Sequence, residues 1–114
     1  MATRVAALSA LAQATQPLAR LSRKPVPPPL QQALERYYPP LARSQGRSGE
    51  AKVRALIEPS GRVSHVQLSF ESEPGFGAAC QKALQQSQWT GPLAPSGEPT
   101  ATFITYRCKF RIGD

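Results

Sequence analysis

The strongest constraint on the fold of this chain is a strict alternation near its end. Between residues 104 and 112, every even position is apolar and every odd position is polar. The apolar residues are Ile104, Tyr106, Cys108, Phe110 and Ile112, and the polar ones are Thr105, Arg107, Lys109 and Arg111. Successive side chains of a strand point to opposite faces, so the pattern predicts a strand with one buried and one solvated face. A slip of one residue would exchange the two faces, so the register is strongly specified.

Two further strands and a tight turn are predicted upstream. The first strand follows Gly49, and its predicted inward residues are Ala51, Val53, Ala55 and Ile57, alternating with Lys52, Arg54 and Glu58. The run Pro59-Ser60-Gly61 predicts a hairpin turn, in which Gly61 can adopt a positive φ. The second strand is predicted from Val63 to Phe70, with the inward residues Ser64, Val66, Leu68 and Phe70.

A helix is predicted between the second and last strands, capped by Ser72 or Glu73. From Phe76 to Gln86 the apolar residues recur at helical spacing, at Phe76, Ala79, Cys80, Ala83 and Leu84. The order strand, strand, helix, strand predicts an α+β fold, a three-stranded antiparallel sheet with one helix packed on one face. The rule of right-handed crossover favours the sheet order second, first, last.

The length of 114 residues allows one domain with a modest core. Residues 1–24 show weak helical spacing, which Pro17 interrupts, and residues 25–36 begin with a Pro-rich linker and continue into a short helical candidate from Leu30 to Tyr37. We therefore expect a weak N-terminal helical segment (1–24), a linker (25–36) and a folded domain (37–114).

Several function classes find no support in the residues. The two cysteines and the single His65 lack the spacing of a metal site, and His65 is expected on the solvated face of the second strand. We find no catalytic constellation, no phosphate-binding loop and no indication of a cofactor. No stretch approaches the ~18 apolar residues of a membrane span. The net charge of +7 permits an anionic partner but does not identify one.

The ordered series of these features resembles the TonB C-terminal domain family. It comprises Tyr38-Pro39, then Gly49 before the first strand, the turn Pro59-Ser60-Gly61-Arg62-Val63, the helix, Trp89 and the alternating last strand. The resemblance covers about residues 37–112. The family's usual run Gln-Pro-x-Tyr-Pro is replaced here by Glu35-Arg36-Tyr37-Tyr38-Pro39.

The resemblance implies a non-enzymatic periplasmic module of an energy transducer. Family members bind the Ton box, a short segment of an outer-membrane receptor, by pairing it with their last strand. An exposed strand edge can accept an extended peptide through main-chain hydrogen bonds. The expected partner-binding residues are therefore Thr102, Phe103, Ile104, Thr105, Tyr106, Arg107, Lys109 and Arg111, together with Tyr38 and Pro39. Alternatively, residues 37–48 fold over this edge and cover it. A membrane anchor is absent from this sequence, so the chain is expected to be a fragment of a longer transducer or a soluble relative.

The two cysteines are placed to meet, because Cys80 lies on the apolar face of the predicted helix and Cys108 on the inward face of the last strand. The implied periplasmic location favours a Cys80–Cys108 disulfide. The alternative is a pair of buried thiols that pack as small hydrophobic groups.

A second hypothesis concerns the outward face of the sheet. Five cations are expected there, namely Lys52, Arg54, Arg107, Lys109 and Arg111. Such a face suits an anionic polymer of the cell envelope or an acidic protein, or is merely solvated. Nucleic acid is disfavoured, since no aromatic residue is expected among these outward positions. A homodimer that pairs two copies of the last strand is a third hypothesis.

Overall fold

Three antiparallel strands form the sheet of this protein, as the sequence predicts. The computed structural model describes residues 15–112. The strands are β1 (Gly49–Ile57), β2 (Val63–Glu71) and β3 (Thr102–Phe110), in the sheet order β2-β1-β3. The helices are α1 (Gln31–Arg36), α2 (Pro40–Ser44) and α3 (Phe76–Gln85). The predicted fold class and strand order are confirmed.

The hairpin between β1 and β2 depends on one glycine. Gly61 has φ +87°, so it takes the positive φ that the turn prediction assigned to it. Its N–H donates to the carbonyl of Glu58 at 2.8 Å, and its own carbonyl accepts the N–H of Trp89 at 2.9 Å. A Cβ at this position would collide with the carbonyl oxygen of Trp89. The turn therefore needs glycine both for its backbone conformation and for this close approach.

One face of the sheet packs against α3 and forms the core. The four inward residues predicted for β1 are all completely buried. The helix turns its apolar side to them, and each apolar residue predicted for it is buried: Phe76, Ala79, Cys80, Ala83 and Leu84. Burying such side chains contributes ~1.5–3 kcal/mol each for the larger ones, so this layer supplies most of the hydrophobic stabilisation.

The start of α3 differs from the prediction. Neither Ser72 nor Glu73 caps it through its side chain. Instead, the carboxylate of Glu71, the last residue of β2, accepts the N–H of Gly77 at 2.9 Å. The positive end of a helix dipole favours such a carboxylate. The end of β2 thus stabilises the beginning of the helix that follows it.

Strand β2 departs from the predicted alternation because it contains two bulges. The register with β1 shifts between Arg54 and Leu56 and again between Lys52 and Val53. His65, at the first shift, has φ +49°. Each extra residue exchanges the faces of the residues that follow it. The predicted inward set is therefore half right: Val66 and Leu68 face inward, whereas Ser64 and Phe70 face outward.

The segment before β1 is packed onto the domain. Of the predicted N-terminal helical segment, residues 1–14 lie outside the described residues, and residues 15–24 contain a single 3-10 turn at Leu18–Arg20 in place of an α-helix. Backbone hydrogen bonds join residues 16–26 to residues 90–101, including Ser22 N to Leu93 O at 2.9 Å and Gln16 N to Ala101 O at 3.0 Å. We call residues 16–26 the strap. The predicted short helix is found as α1, and Leu30, directly before it, belongs to the core.

The two cysteines are joined by a disulfide. Cys80 on α3 and Cys108 on β3 are bonded, with 5.7 Å between their Cα atoms, and both residues are fully buried. The favoured prediction is thus confirmed, and the alternative of two free thiols is excluded. The bond fixes α3 to β3, the strand whose edge away from β1 is open.

Candidate functional site

Strand β3 has a free edge on the side away from β1. In a strand, the N–H and C=O of one residue point to the same side, and consecutive residues point to opposite sides. The carbonyl of Ala101 accepts the N–H of Gln16 from the strap, so Ala101 faces the free edge. By alternation, the backbone groups of Phe103, Thr105, Arg107 and Lys109 face it too. Among the backbone hydrogen bonds of residues 15–112, none joins these four residues to a segment on that side.

The strap closes only the beginning of this edge. Thr102 is completely buried, and its Oγ1 donates to the carbonyl of Gln16 at 2.8 Å. Pro17 follows and has no N–H to donate, and the chain then leaves β3 through the turn at Leu18–Arg20. The open part of the edge therefore runs from Phe103 to Lys109.

A groove of about 750 Å³ lies beside the second half of this edge. The preceding helix α1 forms one wall and β3 with its C-terminal extension forms the other. The lining residues are Leu30, Gln31, Leu34, Glu35, Tyr38, Arg43, Tyr106, Arg107, Lys109, Phe110, Arg111 and Ile112. The floor is apolar and the rim is charged, which is the usual composition of a ligand groove.

The floor of the groove is held rigidly by aromatic packing. The ring of Tyr38 meets those of Phe76 and Phe110 edge-on, at centroid distances of 6.0 and 5.5 Å. The hydroxyl of Tyr38 donates to the carbonyl of Arg47 at 2.6 Å. Such edge-to-face contacts contribute ~0.5–1.5 kcal/mol beyond the buried area. Tyr38 therefore acts first as a core residue and exposes only part of itself to the groove.

Tyr106 forms the end of the floor beneath Trp89. Their rings meet edge-on at 5.9 Å, and the indole Nε1 donates to Ser87 Oγ at 2.8 Å. Burial raises the pKa of the Tyr106 phenol above its ordinary value of 10.0. The phenol is thus neutral at physiological pH, so the charge of the groove comes from its rim.

The rim of the groove is strongly cationic. Its charged residues are Arg43, Arg107, Lys109 and Arg111 against a single acid, Glu35. The guanidinium of Arg43 lies 5.1 Å from the centroid of the Tyr38 ring and donates to the carbonyl of Glu35. Arg107 forms an ion pair with Glu50 at 3.0 Å, while Lys109 and Arg111 have no ion pair among residues 15–112.

The outward face of the sheet carries most of the cations expected there. Lys52 lies opposite Arg107 in the register, and Arg54 lies opposite Thr105. Glu50, opposite Lys109, adds one counter-charge. Arg111 lies beyond the end of β3 and lines the groove.

One expectation about this face is wrong, because two aromatic residues lie on it. Phe103 is opposite Leu56, and the guanidinium of Arg54 sits 4.2 Å from the centroid of its ring. Phe70 pairs with Lys52, and 46% of its surface is exposed. The bulges of β2 turned Phe70 outward, whereas Phe103 precedes the alternating stretch. The argument against nucleic acid that rested on a lack of aromatic residues therefore fails.

The predicted partner-binding residues divide between these two surfaces. The groove brings together five of them: Tyr38, Tyr106, Arg107, Lys109 and Arg111. Thr105 lies on the open edge, and Lys52, Arg54 and Phe103 lie on the outward face. Thr102 and Ile104 are buried, and Pro39 lies next to Gly75, outside the groove.

Sequence reasoning missed the α1 wall of the groove. Its apolar residues Leu30 and Leu34 are spaced four apart on the predicted short helix, which is the signal that could have identified them. Residues 37–48 do not pair with this edge: no backbone hydrogen bond joins them to Phe103–Lys109 within the described part of the chain, although Tyr38 and Arg43 line the groove beside it. These residues form α2 and pack through Tyr38 against the core.

Comparisons with known proteins agree with this architecture. A family model described as the C-terminal domain of the Gram-negative bacterial TonB protein matches residues 35–112. Among solved structures, the chain is similar to the solution NMR structure of the Pseudomonas aeruginosa TonB CTD, with a TM-score of 0.61 and 22% sequence identity. The match covers 79% of this chain and 88% of that chain, and at this identity it shows the fold. Comparison with curated proteins finds no match. None of the helices found within residues 15–112 has the length and hydrophobicity of a membrane span.

Proposed function

Because the chain belongs to the TonB C-terminal domain family, we propose that it binds an extended segment of an outer-membrane receptor or another envelope protein by strand addition to β3. The family is a non-catalytic energy-transducer and interaction domain of the Gram-negative periplasm, so the chain is not an enzyme. Such domains interact with envelope proteins such as outer-membrane receptors.

The observation that carries the proposal is the open edge of β3 beside a preformed groove. The four residues that face the edge offer an N–H and a C=O each, at a spacing of two residues. An added strand would bond to these groups and place alternate side chains in the groove between α1 and β3. The edge needs little rearrangement, since the disulfide and the aromatic floor already fix β3 in place.

The direct test is a titration of isotopically labelled protein with a Ton-box-like peptide, followed by NMR. We expect shifts in the backbone amides of residues 103–109 and slower hydrogen exchange at Thr105, Arg107 and Lys109, whose N–H groups would become bonded. No shift at saturating peptide would count heavily against the proposal.

N-methylated peptides provide a matched control. A methyl group on a peptide nitrogen that faces β3 removes a hydrogen bond and blocks close approach, whereas one on the next nitrogen points to solvent. Binding should therefore fall strongly for one set of alternate positions and hardly at all for the other. Equal binding of both sets would exclude strand addition even if the peptide binds.

The outward face supports a second candidate function, an interaction with an anionic polymer of the cell envelope. Lys52 and Lys109 form no ion pair within residues 15–112, so their charge is available to a partner. Binding to such a polymer should weaken as salt rises and should be lost when Arg107, Lys109 and Arg111 are changed to Ala. Binding that is insensitive to salt, or no binding at all, would exclude this candidate. Sedimentation would separately show whether two copies associate, as pairing through β3 requires.

A further inference from the structure

We propose that the strand added to β3 is recognised by an acidic–apolar–acidic pattern, with its two acidic side chains level with Arg107 and Lys109. This inference rests on the proposed function and specifies the chemistry of the partner. The residues that offer backbone groups to the open edge are also those whose side chains lie on the outward face. Main-chain pairing at the edge and charge recognition on the face are therefore coupled.

The coupling follows from strand geometry. A residue directly opposite Arg107 on an added strand has its side chain on the same face, whether the strand runs parallel or antiparallel. Directly opposite side chains have their Cβ atoms ~4.5–5.5 Å apart, which is within reach of an ion pair. Arg107 and Lys109 are two residues apart, so the matching acids must also be two residues apart.

The local charges select acids at these two positions. Lys52 lies opposite Arg107 on β1, and Glu50, which lies opposite Lys109, forms its ion pair with Arg107. The side chain of Arg107 remains 49% exposed despite its ion pair with Glu50. A lysine on the partner strand would face like charges, whereas a carboxylate would complete the charge balance of this rim.

The residue between the two acids points to the other face. It lies level with Cys108 and enters the groove between Tyr106 and Phe110, where α1 contributes Leu30 and Leu34. An apolar side chain suits this floor, because a charged one would lose its hydration there without gaining a partner. The groove thus favours an apolar side chain and the rim favours acidic side chains, at consecutive positions of the partner.

The test uses three synthetic peptides of about nine residues, long enough for one strand. Valine occupies alternate positions in all three, and the remaining positions are glutamate, threonine or lysine. We expect the glutamate peptide to bind about tenfold more tightly than the threonine peptide at low salt, from two cross-strand charge pairs, and the lysine peptide to bind most weakly. The difference should shrink in high salt, because these charges are exposed.

A charge-reversed variant identifies the residues responsible. In Arg107→Glu/Lys109→Glu the order of the three peptides should reverse, with the lysine peptide binding most tightly. The matched control is Arg62→Glu/Lys24→Glu, which changes the net charge equally at two exposed residues outside the groove. The control should keep the original order, with a smaller preference for glutamate.

The outcomes separate this inference from the function on which it rests. If all three peptides bind equally and shift the amides of residues 103–109, strand addition stands and the acidic pattern is wrong. If none binds, both proposals fail. If the control variant changes the order as much as the Arg107/Lys109 variant does, or if the Arg107/Lys109 variant keeps the original order, the inference is overturned.

Discussion

Opening the Cys80–Cys108 disulfide should remove a large part of the stability of this domain. The two cysteines are 28 residues apart in the sequence. For a closed loop of this length, the chain-entropy relation gives about 12 cal/mol/K, or about 3.6 kcal/mol at 25 °C. Small domains are stable by only ~5–15 kcal/mol in total, so the reduced protein should be markedly less stable and should melt ~15–25 °C lower.

The measurement is urea denaturation of the oxidised and the reduced protein, monitored by the fluorescence of Trp89. Both cysteines are completely buried, so the reductant must be added under unfolding conditions and kept present during refolding. The reduced protein should also show a larger m value, because its unfolded chain is no longer cross-linked and exposes more surface. Reduction changes neither side chain's size appreciably, so packing contributes little to the difference.

The Cys80→Ala/Cys108→Ala variant separates loop entropy from packing. It removes the same cross-link and also leaves two small cavities, so it should be less stable than the reduced wild type by ~1–2 kcal/mol. If reduction lowers the free energy of unfolding by less than ~1 kcal/mol, the loop-entropy argument is refuted. In that case the contact of α3 with β3 must be formed in the unfolded ensemble as well.

Three further perturbations test individual features of the fold. Gly61→Ala should cost at least ~2 kcal/mol in urea denaturation, because the added Cβ meets the Trp89 carbonyl at a positive φ. Thr102→Val should cost ~1–2 kcal/mol, because it removes the hydrogen bond that the completely buried Thr102 donates to the partly buried carbonyl of Gln16. Burial raises the pKa of Tyr106, so the stability that its neutral phenol contributes is present below about pH 10 and is lost as the pH rises through the folded-state pKa. Tyr106→Phe should therefore flatten the decline in the free energy of unfolding above about pH 10.

Matched controls exist for each of these changes. Gly46→Ala introduces the same strain at φ +67° with nothing within 4 Å of the new Cβ, so a cost equal to that of Gly61→Ala would refute the steric argument. Thr105→Val, at an exposed position of the same strand, should change stability by less than ~0.5 kcal/mol. An equal alkaline decline in the wild type and Tyr106→Phe would show that another group causes it.

The parts of the fold that the sequence predicts correctly are those where one face alone is apolar. The alternation is strict in β3 from Ile104 to Phe110, and in β1 only Leu56 breaks it, so the register and the inward position of Cys108 follow from it. Strand β2 gives a weaker signal, because the polar Ser64 stands at a position predicted inward and the apolar Val63 at one predicted outward. Neither bulge falls at a glycine, so the sequence does not mark the first one at His65, which places Ser64 outward, or the second one between Leu68 and Phe70, which turns Phe70 outward.

Local sequence patterns also do not predict the contact of α1 with β3 or the pairing of the strap, for a different reason. The α1 wall meets β3 across roughly seventy residues of sequence, and the contact depends on how a short helix packs once the sheet exists. The strap pairs irregular backbone with irregular backbone, as in the bonds of Ser22 to Leu93 and Gln16 to Ala101. The spacing of Leu30 and Leu34 indicates a helix with an apolar side, but not the strand on which it packs, and the strap is not a regular element that periodicity could indicate.

In strand β3, the residues at even positions stabilise the fold and the residues at odd positions face the partner. Even positions, including Ile104, Cys108 and Phe110, lie in the core, and Cys108 also carries the disulfide. Odd positions, including Arg107 and Lys109, present their backbone groups to the open edge and their side chains to the outward face. A substitution at an odd position can therefore alter partner preference at a cost of ~0.5 kcal/mol or less in stability, as is usual for exposed sites. A substitution at an even position acts on the core first and reaches the partner only through the position of the edge.

The acidic–apolar–acidic pattern proposed for the partner is the complement of this division, since its acids meet the odd residues and its apolar residue meets the floor that the even residues build.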